Sequence, residues 1–262
     1  MRVAVFGAGG RMGATVCRAI TDDPDLELVA AVDPSYEGLD VRQVTGVDTP
    51  GLRVGGSGDA LLDARAEVAV DFTRVEGARE NAAWCAANGV HAVIGTSGFE
   101  QRDFDDMRKR FTKSNCLVAP NFAIGAVLMM RFAELAAPWF DTAEIIEFHH
   151  ESKIDAPSGT AVSTAERMAA ASTEWLDDPT QKVVYDGARG GSGPAGIRVH
   201  AVRMRGAVAS QEVILGTTGQ TLTVRHDTVD RSSFMPGVVL ACKRIAEHEG
   251  VTVGLDAFLG LT

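Results

Sequence analysis

Apolar positions alternate between two patterns along the first half of the chain. Residues 2–6 form a short, nearly continuous apolar run. Beyond a glycine-rich turn, Met12, Val16, Ala19 and Ile20 recur at the spacing of one helix face. Residues 27–32, 67–72, 91–95 and 116–119 repeat the short Val/Ile-rich run, and residues 76–88 and 101–113 read as helices. Short apolar strands alternating with helices predict a parallel sheet covered by helices. Residues 38–62 are rich in Gly, Asp and Thr without clear periodicity. They read as loop with one weak strand and a short helix.

After Asn121 the pattern changes. Residues 124–140 predict a long, largely apolar helix with Pro138 near its end, followed by a strand over 142–150 and a helix over 158–171. Residues 186–196 have the composition of a flexible loop. Three strand candidates follow, 197–205, 211–217 and 221–227, with a hairpin at 217–220 joining the last two. Consecutive strands predict an open, mainly antiparallel sheet. A last helix over 234–247 is expected to return to the first domain. The expected organisation is an α/β fold in two parts. Residues 1–123 plus 234–262 form one domain, and residues 124–233 form a second, α+β domain.

Composition narrows the function classes. The 262 residues, 45% of them hydrophobic, suffice for two modest cores. A net charge of −10 argues against a general nucleic-acid or membrane-surface binder. Local charge still allows a pocket for an acidic substrate. The first residues read as a strand and not as a leader. No apolar run reaches the ~18–20 residues of a membrane span; the richest, 123–135, is interrupted by Arg131 and Glu134. Cys17, Cys85, Cys116 and Cys242 are scattered without zinc-ligand spacing, which fits reduced thiols in a cytoplasmic protein.

Candidate chemistry begins at the first turn, Gly7-Ala8-Gly9-Gly10-Arg11-Met12-Gly13. Glycines 7, 10 and 13 keep a GxxGxxG spacing; the stricter GxGxxG fails because Met12 holds its last position. A tight turn that brings backbone N–H groups and a helix N-terminus to a pyrophosphate requires this pattern. Its context fits a Rossmann-like domain, since it follows a strand, opens a helix and has Asp33 at the end of the second strand. Asp33 is placed to accept hydrogen bonds from adenosine ribose hydroxyls, which favours NADH. Arg11 is close enough to attract a phosphate, so use of NADPH stays open. Asp71-Phe72-Thr73, Gly95-Thr96-Ser97-Gly98 and Ala119-Pro120-Asn121-Phe122 fall at strand ends on the same edge of the sheet.

The segment Glu147-Phe148-His149-His150-Glu151-Ser152-Lys153-Ile154-Asp155-Ala156-Pro157-Ser158-Gly159-Thr160-Ala161 concentrates two imidazoles, an ammonium and a helix start. Such groups are poor core material. They make good acid–base equipment and a good anion site. His149 can donate a proton near neutral pH, and Lys153 can act as donor or carboxylate clamp. The helix start at Ser158-Gly159-Thr160 offers backbone N–H groups to an anion, and Gly159 permits close approach. Adjacent strand residues point to opposite faces and no HExxH is present, so no metal site is expected from His149, His150 and Glu151.

These motifs, with Ala119 to Gly125, Arg231-Ser232-Ser233-Phe234 and Gly237, make the chain resemble the dihydrodipicolinate reductase (4-hydroxy-tetrahydrodipicolinate reductase) family of lysine and diaminopimelate synthesis. The resemblance runs almost end to end, and the segment 147–161 is highly specific to that family. It implies that His149 is the proton donor and acceptor and that Lys153 is a second proton donor that holds substrate. It implies that His150, Gly159 and Thr160 bind the dicarboxylate. The cofactor, NADH or NADPH, would be held by Gly7, Ala8, Gly9, Gly10, Arg11, Met12, Asp33, Gly95, Thr96, Ser97, Ala119, Pro120, Asn121 and Phe122. It further implies a homotetramer assembled through the sheet of the second domain. At Ser210 the family is expected to carry a histidine. The loss is expected to touch a subunit contact or a structural hydrogen bond and to spare the chemistry. Two other readings stay open: a different two-domain nicotinamide oxidoreductase, or a catalytically silent NAD-binding sensor.

Overall fold

The computed structural model describes residues 1–261; Thr262, the last residue of the expected first domain, lies outside the described residues. In chain order the elements are β1 (Arg2–Phe6), α1 (Arg11–Asp22), β2 (Glu27–Val32), α2 (Val41–Thr45), β3 (Val54–Gly55), α3 (Asp59–Asp63), β4 (Val68–Asp71), α4 (Val75–Asn88), β5 (His91–Ile94), α5 (Gln101–Arg110) and β6 (Cys116–Val118). There follow α6 (Ile124–Ala136), β7 (Thr142–His149), α7 (Gly159–Ala171), β8 (Gly191–Ser192), β9 (Arg198–Arg203), β10 (Ala209–Thr217), β11 (Gln220–Thr228), α8 (Met235–Arg244) and β12 (Val251–Val253). The chain divides into two compact units, Met1–Phe122 with the stretch from Phe234 on, and Ala123–Ser233.

The first unit is a seven-stranded sheet in the order β12-β6-β5-β4-β1-β2-β3, and every pairing in it is parallel. Its strands are apolar on both faces because helices cover both: Val3, Ala4, Val5 and Phe6 of β1 are all buried, as are Val68, Ala69 and Val70 of β4. The 38–62 region holds two short helices, where one was expected. Asp40 caps α2 by accepting from Arg42 N, and Gly46 ends it with φ +72°. The edge strand β12 was not anticipated, since three residues carry too little pattern to stand out.

The second unit is a five-stranded mixed sheet, order β11-β10-β7-β9-β8. The hairpin β10–β11 turns at Thr218 and Gly219, with Thr217 opposite Gln220 and φ +79° at Gly219. β9 and β10 are neighbours in sequence but not in space. β7 lies between them, antiparallel to β10 and parallel to β9. The long predicted helix ends at Ala136 and passes into a 3-10 turn at Ala137–Trp139, because Pro138 has no N–H to continue the α-helical ladder. Part of the expected flexible loop forms β8 against β9.

The glycine turn shows why the fold needs its small residues. Gly7 has φ +71°, and Gly13 lies so close to the turn that an added Cβ would overlap the carbonyl of Gly7. Helix α1 is therefore seated directly on the end of β1. Gly13→Ala is expected to cost about 1–3 kcal/mol of stability through overpacking and to weaken dinucleotide binding. Urea unfolding and cofactor titration measure the two effects; a variant with unchanged values of both would contradict this packing.

Candidate functional site

In the first unit, the ends of β1, β2 and β4 surround a cleft of about 850 Å³. Gly7, Gly9, Gly10 and Asp33 line it, together with Phe72, Thr73 and Arg74 beyond β4. Gly10 is the N-cap of α1 and carries no side chain to block the helix N-terminus. Asp33 accepts from Gly9 N at 3.0 Å through Oδ2 and from Ser35 N at 3.1 Å through Oδ1. An ionised carboxylate has about four acceptor positions, so sites remain for further donors. A smaller recess of about 190 Å³ is lined by Met12, Phe72, Gly95, Pro120, Asn121, Phe122 and Phe234. An added Cβ at Gly95 would overlap the Phe72 ring, which packs on Phe122 with ring centroids 5.7 Å apart.

The remaining predicted residues of this unit lie around these two spaces. Ala8 and Ala119 are fully buried and shape the turns from behind. Thr96 is buried and donates its hydroxyl to Thr73 O at 2.8 Å, tying the end of β5 to the end of β4. Arg11 and Ser97 are exposed and line neither space. Tyr36 and Trp84 also line the larger cleft, and sequence reasoning missed both. Room, a helix N-terminus and glycines where a Cβ would intrude fit a dinucleotide.

In the second unit the centre is Glu147, with no exposed side-chain surface. Glu147 and His149 stand two apart on β7 and so share a face. Glu147 Oε2 lies 2.6 Å from His149 Nδ1 and 2.7 Å from Arg203 Nη1. Its Oε1 accepts from Arg203 Nη2 at 2.8 Å and from Ser158 N at 3.0 Å. Arg203 reaches it from β9, where it pairs opposite His149. Burial pushes the Glu147 carboxyl up, but the bonds from Arg203, His149 and Ser158 outweigh this and hold it below the ordinary carboxylate range. With Nδ1–H donated to Glu147, the His149 ring keeps Nε2 for proton exchange.

Burial pushes His149 down, the Glu147 hydrogen bond and charge pull it up, and the charges of Lys153 and Arg203 push it down again. The result is below the ordinary histidine value. Lys153 Nζ sits 2.8 Å from each carboxylate oxygen of Asp155. His150 Nδ1 lies 2.8 Å from Ser152 Oγ, on the loop beyond β7. Ser158 caps α7 by accepting from Ala161 N at 3.2 Å. Nothing lies within 4 Å of a Cβ placed at Gly159, so the helix start is open to a ligand there. Thr160 follows in the first turn, and its carbonyl accepts from Thr164 Oγ1 at 2.7 Å. The arrangement offers one exchangeable proton, an ammonium and a helix N-terminus close together in the chain.

Sequence reasoning named no role for Glu147, Asp155 or Arg203. The i, i+2 spacing of Glu147 and His149 on a predicted strand was the available signal for the first. Arg203 is 56 residues away from Glu147 and gave none. Ser210 pairs opposite Phe148 and Asp227, and its side chain hydrogen-bonds Asp227. All four cysteines are buried, and burial pushes Cys17 and Cys242 up to about 12. Cys85 and Cys116 are pushed up by burial too, which removes the nucleophilic thiol that another oxidoreductase chemistry would use. Among the described residues no helix is long and apolar enough to cross a membrane, and no group of His, Cys, Asp and Glu is placed to hold a metal ion.

Two family models match the chain. One, described as dihydrodipicolinate reductase, N-terminus, covers residues 1–122, and the other, dihydrodipicolinate reductase, C-terminus, covers residues 125–259. The chain is 47% identical over 267 residues to the 4-hydroxy-tetrahydrodipicolinate reductase of Corynebacterium urealyticum, covering 100% of this chain and 99% of that protein. It is 44% identical over 268 residues to the enzyme of that name from Cutibacterium acnes, with 100% and 99% covered. Among solved structures it resembles a dipicolinate-bound dihydrodipicolinate reductase from Paenisporosarcina sp. TG-14, with TM-score 0.85, 36% identity and 98% of each chain covered. An amine dehydrogenase from Mycobacterium smegmatis, at TM-score 0.65 and 14% identity over 98% of this chain and 95% of that one, shares the fold alone.

The neutral state of His149 rests on a balance that one substitution shifts. Glu147 is the group that pulls its titration up, so Glu147→Gln is expected to move the His149 midpoint to still lower pH. Following the ring C–H signals by NMR across the acid range measures it. A midpoint that rises would show that Glu147 does not act on the ring in this way.

Proposed function

The chain belongs to the dihydrodipicolinate reductase family, and from that premise we infer how its residues divide the work. The protein is a nicotinamide-dependent oxidoreductase of lysine and diaminopimelate biosynthesis, reducing 4-hydroxy-tetrahydrodipicolinate to tetrahydrodipicolinate. A bound reduced nicotinamide supplies the hydride. Overall, one hydride and one proton enter and one water leaves, so the ring gains two electrons and loses its hydroxyl.

The observation that carries the site assignment is His149, held at Nδ1 by a buried carboxylate and near the charge of Lys153. In this reading His149 Nε2 exchanges the proton with the substrate. Free His149 is held low by burial, by Lys153 and by Arg203. A bound dicarboxylate adds negative charge and raises it, so substrate binding arms its own proton donor. Lys153 holds substrate and is a second proton donor. His150, Gly159 and Thr160 take a carboxylate at the start of α7. Dipicolinate, the ligand of the Paenisporosarcina relative, carries the two carboxylates this site would grip.

On the cofactor side, the turn from Gly7 to Met12 receives the pyrophosphate. Asp33 accepts from the ribose hydroxyls, so NADH is the preferred donor. Gly95, Thr96 and Ser97, with Ala119, Pro120, Asn121 and Phe122, enclose the nicotinamide end. The two compact units support a two-domain organisation, with Ala123 in the second unit where the expected boundary put residue 123 in the first. The exposed positions along β11, Leu222 among them, support assembly as a homotetramer through this sheet. Four unpaired buried cysteines support a cytoplasmic location.

His149→Gln is expected to lower kcat by ~10²–10⁴, the range for loss of a general acid–base group, with cofactor affinity nearly unchanged. Lys153→Ala is expected to lower kcat and raise the substrate KM. The assay presents the aspartate-semialdehyde and pyruvate condensation product and follows loss of reduced-nicotinamide absorbance. Turnover that survives His149→Gln would remove that residue from the reaction. In the same assay Asp33→Ala is expected to shift the kcat/KM ratio toward NADPH; a ratio that does not move would show that Asp33 does not read the ribose.

A further inference from the structure

The 3-10 turn Pro34–Tyr36 that follows β2 carries an aromatic ring into the nucleotide cleft. Tyr36 N donates to Asp33 O at 3.0 Å, and Pro34 fixes the backbone between them, so the ring has a defined station. That station is on Gly9. A methyl group added there would overlap the Tyr36 ring and would come 2.9 Å from Asp33 Oδ2. The ring therefore lies on the turn beside the carboxylate that accepts from Gly9 N. It is 39% exposed, the rest being covered by the turn and its surroundings.

Charge around this spot is one-sided. Among the described residues lining the cleft, Asp33 and Glu80 are acidic and Arg74 is the only cation. Arg74 follows β4, and β1 lies between β4 and β2 in the sheet. No cation of the cleft wall comes from the stretch that follows β2. A phosphate on a ribose hydroxyl bonded to Asp33 would meet that carboxylate and the face of Tyr36. The ring offers a dianion neither a hydrogen-bonding face nor a counter-charge, and its own strand end supplies no cation to the cleft.

We infer that Tyr36 is a specificity-determining residue, an apolar wall that works with Asp33 to reject a 2′-phosphorylated adenosine ribose and to favour the unphosphorylated dinucleotide. This rests on the reading of Asp33 as the ribose partner. Asp33 rejects the phosphate by charge, whereas Tyr36 rejects it by desolvation and by filling space. Removing Asp33 alone therefore leaves part of the discrimination in place.

Binding measured without hydride transfer tests this. ADP-ribose and its 2′-phosphorylated form are titrated into the protein by calorimetry. The wild-type protein is expected to bind ADP-ribose more tightly. Tyr36→Ala is expected to cut the ratio of the two affinities about tenfold, the scale of one pocket contact. Tyr36→Phe keeps the ring and is expected to keep the ratio. An unchanged ratio in Tyr36→Ala overturns the inference, as does equal weakening of both ligands, which would make the ring a general support. A ratio that falls equally in Tyr36→Phe also overturns it, by assigning the effect to the hydroxyl. Asp33→Ala separates the two claims. If it leaves the ratio unchanged, the ribose reading fails. If it lowers the ratio and Tyr36→Ala does not, the role of Tyr36 alone fails.

Discussion

A carboxylate with no access to water organises the second unit. Burying an ion costs several kcal/mol even after relaxation, so Glu147 is tolerated only with its lone pairs filled. Arg203 fills two of them from β9, His149 one from the same strand, and Ser158 N one from the start of α7. Each partner belongs to a different stretch of chain, so satisfying one charge fixes two strands and a helix start relative to each other. β7 is central in its sheet and has a partner on each side, β10 and β9, which gives the carboxylate the rigid base it needs.

Reactivity follows from the same constraint. The bond to Nδ1 sets the imidazole tautomer and leaves Nε2 for exchange. Arg203 spends its fork on Glu147 and on the carbonyl of Asp155, so it is a structural cation and not a substrate clamp. Its charge still depresses His149, as does that of Lys153. Lys153 is paired with Asp155, whose side chain is 57% exposed, so in the proposed reading a substrate carboxylate competes with a partner that water already screens. Two cations thus differ by partner: Arg203 is held by the fully buried Glu147, and Lys153 by a carboxylate that solvent reaches.

Local pattern carried much of this into the sequence. The run of β1, its glycine turn and α1 was legible because a tight turn tolerates few residue types, and Gly13 is demanded by direct contact with the turn. The segment 147–161 was legible because paired imidazoles and an ammonium rarely occur without purpose. Long-range choices were not. Nothing in the residues of β9 and β10 tells them to separate and admit β7 between them. Arg203 looked like any strand arginine until β9 was placed beside β7. Tyr36 follows Asp33 closely, yet only the fold of the 3-10 turn brings its ring onto Gly9.

The two units offer an anion different physics. The pyrophosphate belongs to a carrier that must enter and leave at every turnover. In the proposed reading the N-terminus of α1 meets it, since the N–H groups of Gly7 to Gly10 are bonded to Val32, Asp33 and the turn itself, and a helix N-terminus holds an anion without a permanent counter-ion. In the same reading the dicarboxylate is held while a proton moves, and the candidate site adds the charge of Lys153 close to His149. This explains how a chain of net charge −10 can serve an acidic substrate. The overall charge acts over distances that salt screens within about 8–10 Å. Lys153, His149 and the α7 start act inside that range, where the local sign decides.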